Sequence, residues 1–146
     1  MSIKGPDRAR RRLAAAALLG AALGASLTGC ATDLQDPDAP EGVPNYIVDE
    51  EAGADAALAG RVAEIDGCFY VQGPAPERIL TLAVFPAREV TDASEGSGFA
   101  YLGEDYADGD AITVGGSMSG STLYAVPEAC DEDVQQWRVA PSTPAP

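Results

Sequence analysis

The sequence predicts an all-β domain, a small antiparallel barrel or sandwich, preceded by a cleaved signal peptide and an acidic disordered tether. Three observations carry that prediction. About six short β-prone runs fall within about 80 residues, separated by turn residues at roughly ten-residue spacing. Asp66-Gly67 stands between two of these runs as a two-residue hairpin signal, because both residues tolerate positive φ. Ile79 to Phe85 is nearly continuous in its hydrophobicity, as a central strand should be. No internal repeat is present.

The chain begins with a basic segment. Lys4, Arg8, Arg10, Arg11 and Arg12 face a single acid, Asp7, and Leu13 to Leu27 is then uncharged and almost wholly Ala, Leu and Gly. This is the n-region and h-region of a secretory signal, too short for a comfortable bilayer span. Leu27-Thr28-Gly29-Cys30 follows and resembles a bacterial lipobox. The resemblance implies cleavage after residue 29 and a thioether-linked diacylglycerol on Cys30. Two acyl chains suffice for stable attachment, at about 0.8 kcal/mol per buried CH2. The implied address is the cell membrane, on its extracytoplasmic face. Arg10-Arg11-Arg12-Leu13 also reads as a twin-arginine signal lacking the rest of its motif, so both export routes stay open.

Cleavage at that point leaves Cys30 to Pro146, one small domain's worth of chain. Four arginines (Arg61, Arg78, Arg88, Arg138) remain against 22 acids, a net charge near −18. Nucleic-acid binding needs a basic footprint and this chain has none. An anionic membrane surface also repels such a body, so the lipid must hold it there. With Cys30 taken by lipid, Cys68 and Cys130 are an even pair in an oxidising compartment and read as a disulfide.

Residues 30–56 read as the tether. Residues 31–56 hold eight acids, no basic residue, and Pro37, Pro40 and Pro44. Such a segment cannot bury enough apolar surface to offset its chain entropy. Its exception is Asn45-Tyr46-Ile47-Val48, a β-prone patch expected to dock on the domain as an edge strand.

The domain proper reads as residues 57–140. Leu58–Ile65 and Cys68–Val71 flank the Asp66-Gly67 turn, and Gly73 to Pro76 lead into the strand Ile79–Phe85, ended by Pro86. Residues 87–98 read as a loop, Phe99–Leu102 as a strand, and 104–110 as an acidic turn. Ala111–Val114 is a strand, Gly115–Ser121 a mobile Gly/Ser loop, and Thr122–Val126 another strand. Pro127 to Asp133 suggests a single helical turn, with Pro at its start and acids near its positive end. Gln135–Val139 is the last strand and brings the only tryptophan, Trp137, into the core. Residues 141–146 read as a disordered tail.

Asp66-Gly67-Cys68, Val84-Phe85-Pro86, Asp108 to Gly116 and Val126 to Cys130 together resemble small actinobacterial lipoproteins of uncharacterised function. That resemblance covers about residues 57–140 and implies an OB-like barrel. It brings no catalytic residues.

The composition excludes most catalysis. There is no histidine in the chain and no lysine after residue 29. Ser-His-Asp and Cys-His nucleophilic sites, the usual zinc and copper sites, and Schiff-base chemistry are therefore absent. Gly116-Ser117-Met118-Ser119-Gly120 misses the G-x-S-x-G spacing of a nucleophile elbow and has no base. Glu104, Asp105, Asp108 and Asp110 supply hard oxygen donors, but as an EF-hand the loop fails at Tyr106 and Gly115. No cofactor, catalytic residue or metal ligand is expected. The function expected is a non-catalytic binding or interaction module, meeting an envelope protein or a glycan. A Ca²⁺-dependent module using residues 104–110, and a hydrolase built on carboxylates alone, are the alternatives.

Overall fold

The computed structural model describes residues 35–48, 53–120 and 123–142. The signal segment and Cys30 lie outside the described residues. Within them the regular structure is strand throughout, apart from one 3-10 turn at Ala87–Glu89. The strands are β1 (Asn45–Tyr46), β2 (Ala56–Ile65), β3 (Cys68–Gln72), β4 (Leu80–Pro86), β5 (Val90–Asp92), β6 (Phe99–Tyr101), β7 (Glu104–Tyr106), β8 (Ala111–Gly120) and β9 (Gln136–Val139). The order β4-β3-β2-β8-β9 returns on itself through a β4–β9 pairing and closes a five-stranded barrel. This agrees with the predicted fold class and is consistent with an OB-like barrel.

The β2–β3 hairpin forms where the sequence places it. Asp66 (φ 51°) and Gly67 (φ 85°) occupy the two turn positions, and Ile65 faces Cys68 across them. Positive φ at both residues gives the turn the twist that two strands need. Counting back from that turn sets Arg61 opposite Gln72. Arg61 also pairs with Ala111 on the other side, where the β2–β8 ladder begins. Residues 56–61 thus pair with β8 and residues 61–65 with β3, so Arg61 is where β2 changes partners.

The apolar run of β4 is explained by burial on both faces. Ala83 and Phe85 join the main core with Val62, Val71, Val114 and Trp137. Leu82 and Val84 point the other way, Leu82 against Cys68 and Tyr70, Val84 against Tyr46 and Tyr124. That outer layer is supplied by two segments without much secondary structure. One is residues 123–135, tied to β3 by the Cys68–Cys130 disulfide, whose Cα atoms lie 5.0 Å apart. Gln136 fixes the same segment by bonding both backbone groups of Tyr124, at 2.9 Å each. The other is the N-terminal strap. β1 runs parallel to β4 beside Phe85 and Pro86, and the Tyr46 hydroxyl donates to the Val139 carbonyl at 2.7 Å.

Several expectations need correcting. Of the stretch read as tether, residues 30–34 and 49–52 lie outside the described residues, but Pro40 and Gly42 to Tyr46 are buried. Val43 enters the main core, and Phe69 N–H bonds the Gly42 carbonyl at 3.0 Å. The expected docking of Asn45 to Val48 as an edge strand holds for Asn45–Tyr46, which pair with β4, and the buried stretch begins earlier than expected, at Pro40 and Gly42. The predicted loop 87–98 contains β5, and the predicted acidic turn contains β7. These two flank β6 in a small antiparallel sheet, with Leu102 (φ 51°) and Gly103 (φ 83°) forming the β6–β7 turn. Phe99 of β6 packs its ring 5.4 Å from both Phe69 and Phe85, so this sheet caps the main core.

Of the predicted mobile loop Gly115–Ser121, residues 115–120 are instead the second half of β8, paired with β9 as far as Gly120, and Ser121 lies outside the described residues. Gly116 serves close approach. A Cβ at Gly116 would overlap the Arg138 carbonyl and press on Trp137 Nε1 at 2.6 Å. Residues 123–126 are not strand, and Pro127 to Val134 makes successive turns rather than a helical one. The barrel also has one parallel pair, β4–β9, where the prediction was wholly antiparallel. β9 reaches β4 through long intervening chain and not a hairpin, which frees its direction. At the C-terminus, Ser142 bonds Glu89 Oε1 through both N–H and Oγ at 2.8 Å, so the tail is tied at least that far.

Two stability predictions follow from this packing. Gly116→Ala should destabilise the fold by at least about 1–3 kcal/mol through overpacking at the β8–β9 contact, read as a lower urea midpoint with unchanged slope. Replacing Cys68 and Cys130 together by Ala should cost up to about 4 kcal/mol by releasing the closed loop in the unfolded chain. Far-UV circular dichroism during urea unfolding would measure it.

Candidate functional site

The partner change at Arg61 opens a cleft. β3 leaves the sheet after Gln72, and residues 73–79 loop outwards before β4 begins, closed at the base by a Gly73 N–H to Ile79 carbonyl bond of 2.8 Å. The cleft between this loop and β2 measures about 630 Å³ and is lined by Gly60, Arg61, Gln72, Pro74, Arg78 and Ala111, among others. That size lies within the range of small-molecule sites. Gly60 in its lining lets the backbones of β2 and β3 approach closely. A Cβ there would overlap the Gln72 carbonyl and meet Val71 Cγ1 at 2.8 Å.

Two of the four arginines that follow Cys30 line this cleft, and no acidic side chain does. Arg61 Nη1 donates to the Gly109 carbonyl at 2.8 Å, which orients the guanidinium and leaves its other N–H groups available. Arg78 sits at φ 48°, a left-handed conformation uncommon for a residue with a Cβ, with its N–H bonded to Pro74 at 3.1 Å. Among the described residues neither arginine is in an ion pair. The other two are engaged: Arg88 lies 3.8 Å from Glu89, and Arg138 stands 5.5 Å over the Tyr46 ring. The Gln72 amide adds a neutral donor and acceptor. Chemically the cleft offers fixed positive charge and small apolar walls, with no nucleophile and base in its lining.

A second cavity, about 360 Å³, lies beside the disulfide between Ile65, Tyr70, Leu80 and Val134. Asp66 and Asp131 also line it, and the Tyr70 hydroxyl accepts from Asp131 N–H at 2.9 Å.

Cys68 and Cys130 are joined, as the sequence suggested. The acids of residues 104–110 are not gathered into one site. Glu104 accepts from the Tyr106 hydroxyl, Asp105 from Ser94, Asp108 from Glu64 N–H and Asp110 from Ala107 N–H. The Ser94 bonds hold the Asp105 carboxyl below its ordinary range. Among the described residues no group of three or more acids or cysteines is placed to hold a metal ion, and no helix is long and apolar enough to cross a membrane. Two buried polar atoms among them lack a hydrogen-bond partner, Glu89 Oε2 and Trp137 Nε1, and neither residue lines either cavity.

Arg61 and Arg78 were counted in the sequence only as charges. The signal that could have singled them out is the hairpin register, which sets Arg61 against Gln72 next to the loop bearing Arg78. Comparison of the chain with protein-family models, with curated proteins and with solved structures gives no match.

The tyrosines give a pH prediction. Burial, followed by the nearby Glu89 charge, pushes the Tyr101 hydroxyl up to about 12, and burial raises Tyr46 and Tyr106 as well. A raised folded-state value means that stability is complete below the unfolded value near 10 and falls as pH rises from there towards about 12. A spectrophotometric tyrosinate titration should therefore show Tyr101 ionising late, with unfolding over the same interval.

Proposed function

We propose that the protein is a lipid-anchored, non-catalytic binding module on the extracytoplasmic face of a bacterial cell membrane, and that the Arg61–Arg78 cleft is its recognition site. The observation that carries the binding half is the cleft itself: two arginines without an ion pair among the described residues and no acid in the lining, on a body whose net charge is near −18. The backbone bonds from Gly73 N–H to Ile79 and from Arg78 N–H to Pro74 close the loop that bears Arg78, which lowers the ordering cost of binding. The anchoring half rests on Leu27-Thr28-Gly29-Cys30 and the basic-apolar segment before it. The strand order supports only the OB-like barrel that the resemblance to actinobacterial lipoproteins implies.

In this reading Cys30 carries diacylglycerol, the acidic chain after it holds the barrel off an anionic surface, and an envelope protein or glycan is the larger partner. The absence of histidine from the whole chain supports binding over catalysis.

The test is made in cells. Wild-type protein should incorporate labelled fatty acid and partition into the detergent phase, whereas Cys30→Ala should do neither. Cross-linking followed by quantitative mass spectrometry should enrich a partner with the anchored form. That enrichment should fall when Arg61 and Arg78 are both replaced by Gln. Equal aqueous partitioning of both forms would remove the anchor from the proposal.

A further inference from the structure

We infer that the Arg61–Arg78 cleft binds a small molecule through an oxyanion, a carboxylate or a phosphate; this deepens the binding-module reading and rests on it. Charge decides the class of group. The lining includes Arg61, Arg78 and Gln72 and contains no acidic residue. Guanidinium presents paired N–H donors that match carboxylate and phosphate oxygens, and such charge-assisted bonds are about twice as strong as neutral ones. Arg61 is already oriented by its bond to Gly109.

Size and field decide that the ligand is small. A volume of about 630 Å³ accommodates a metabolite-sized molecule. A nucleic acid or other long polyanion would meet the repulsion of the acidic body along its length. A compact anion seated between the arginines exchanges that diffuse repulsion, screened beyond about 10 Å at ordinary salt, for direct contact. No aromatic ring lines the cleft, so the stacking surface used to hold sugars and bases is missing from it. Small aliphatic walls from Pro74 and Ala111 suit a short carbon skeleton beside the charged group. The left-handed backbone at Arg78 adds an independent pointer. A residue with a Cβ stands where glycine would be easier, and conformational strain of this kind gathers at binding sites.

The experiment is isothermal titration of the full-length protein, extracted from membranes in detergent, at fixed ionic strength. Inorganic phosphate and succinate are the oxyanion probes, and a neutral disaccharide is the control. Saturable binding of at least one oxyanion is expected, and which one binds distinguishes phosphate from carboxylate. Arg61→Gln and Arg78→Gln should each weaken binding by roughly ten- to hundredfold. Arg78→Gly should keep or raise the melting temperature, because it relieves the positive φ, while losing affinity to the same degree. A purely structural arginine would not separate those two readouts. Undiminished binding in the Arg61→Gln/Arg78→Gln double variant, or no binding of either oxyanion to wild-type protein, overturns the inference. If the disaccharide binds and the double variant abolishes that binding, the ligand class is wrong but the binding-module reading stands. If no probe binds and cross-linking enriches nothing, both fall.

Discussion

The fold depends on β9 lying between β8 and β4. Leu82 to Val84 pair with Gln136 to Arg138 in parallel, while Gly116 to Gly120 pair with the other side of the same short strand. Four residues thus join the two ends of a sheet that would otherwise have two free edges. Closure is what removes edge strands from a small β-domain. It also carries Trp137 and Val139 into the main core. The approach at Gly116 is close enough to leave no room for a Cβ, and a segment with a loop-like composition is held in a ladder.

Around this barrel, packing on the outside matters as much as packing within. A five-stranded barrel of this size has little interior, and small domains are marginal for that reason. Here the outer faces of β3 and β4 are put to use. Leu82 and Tyr70 are covered by the segment that Cys130 staples down, and Val84 by Tyr46 and Tyr124. The disulfide therefore acts twice, shortening the unfolded chain's freedom and holding apolar cover over the sheet. The N-terminal strap has the same effect, with Val43 and Tyr46 buried and the Tyr46 hydroxyl donating to the Val139 carbonyl.

The cleft is a by-product of the same geometry. A strand that serves two partners in succession must coil, and Gly60 lets the Gln72 carbonyl come close at the bend. The chain then diverges on either side of Arg61, leaving a space whose lining is set by the 73–79 loop. Arg88 and Arg138 are absorbed by Glu89 and the Tyr46 ring, and Arg61 and Arg78 are left facing the cleft. In a body of strongly negative charge, that pair is the local exception.

Much of the fold was legible because it follows from local chemistry. Asp66-Gly67 dictated its hairpin through positive φ, the β4 run dictated a doubly buried strand, and the cysteine count paired Cys68 with Cys130. Local rules failed where distant chain supplied the partner. Gly115 to Gly120 looks like a flexible linker until β2 and β9 pass on either side, and Glu104 to Tyr106 looks like a solvated turn until β6 pairs with it. Val43 to Tyr46 is hidden among acids and prolines, and its burial depends on the edge that β4 offers. The cleft was out of reach for the same reason. The sequence by itself determined the hairpin, the central strand, the staple and the net charge, all set by residues acting on their neighbours or by simple counting. The barrel's closure, the entry of Val43 into the core and the convergence of Arg61 with Arg78 were left to the tertiary structure, because each brings together residues whose encounter is fixed by topology and not by local preference.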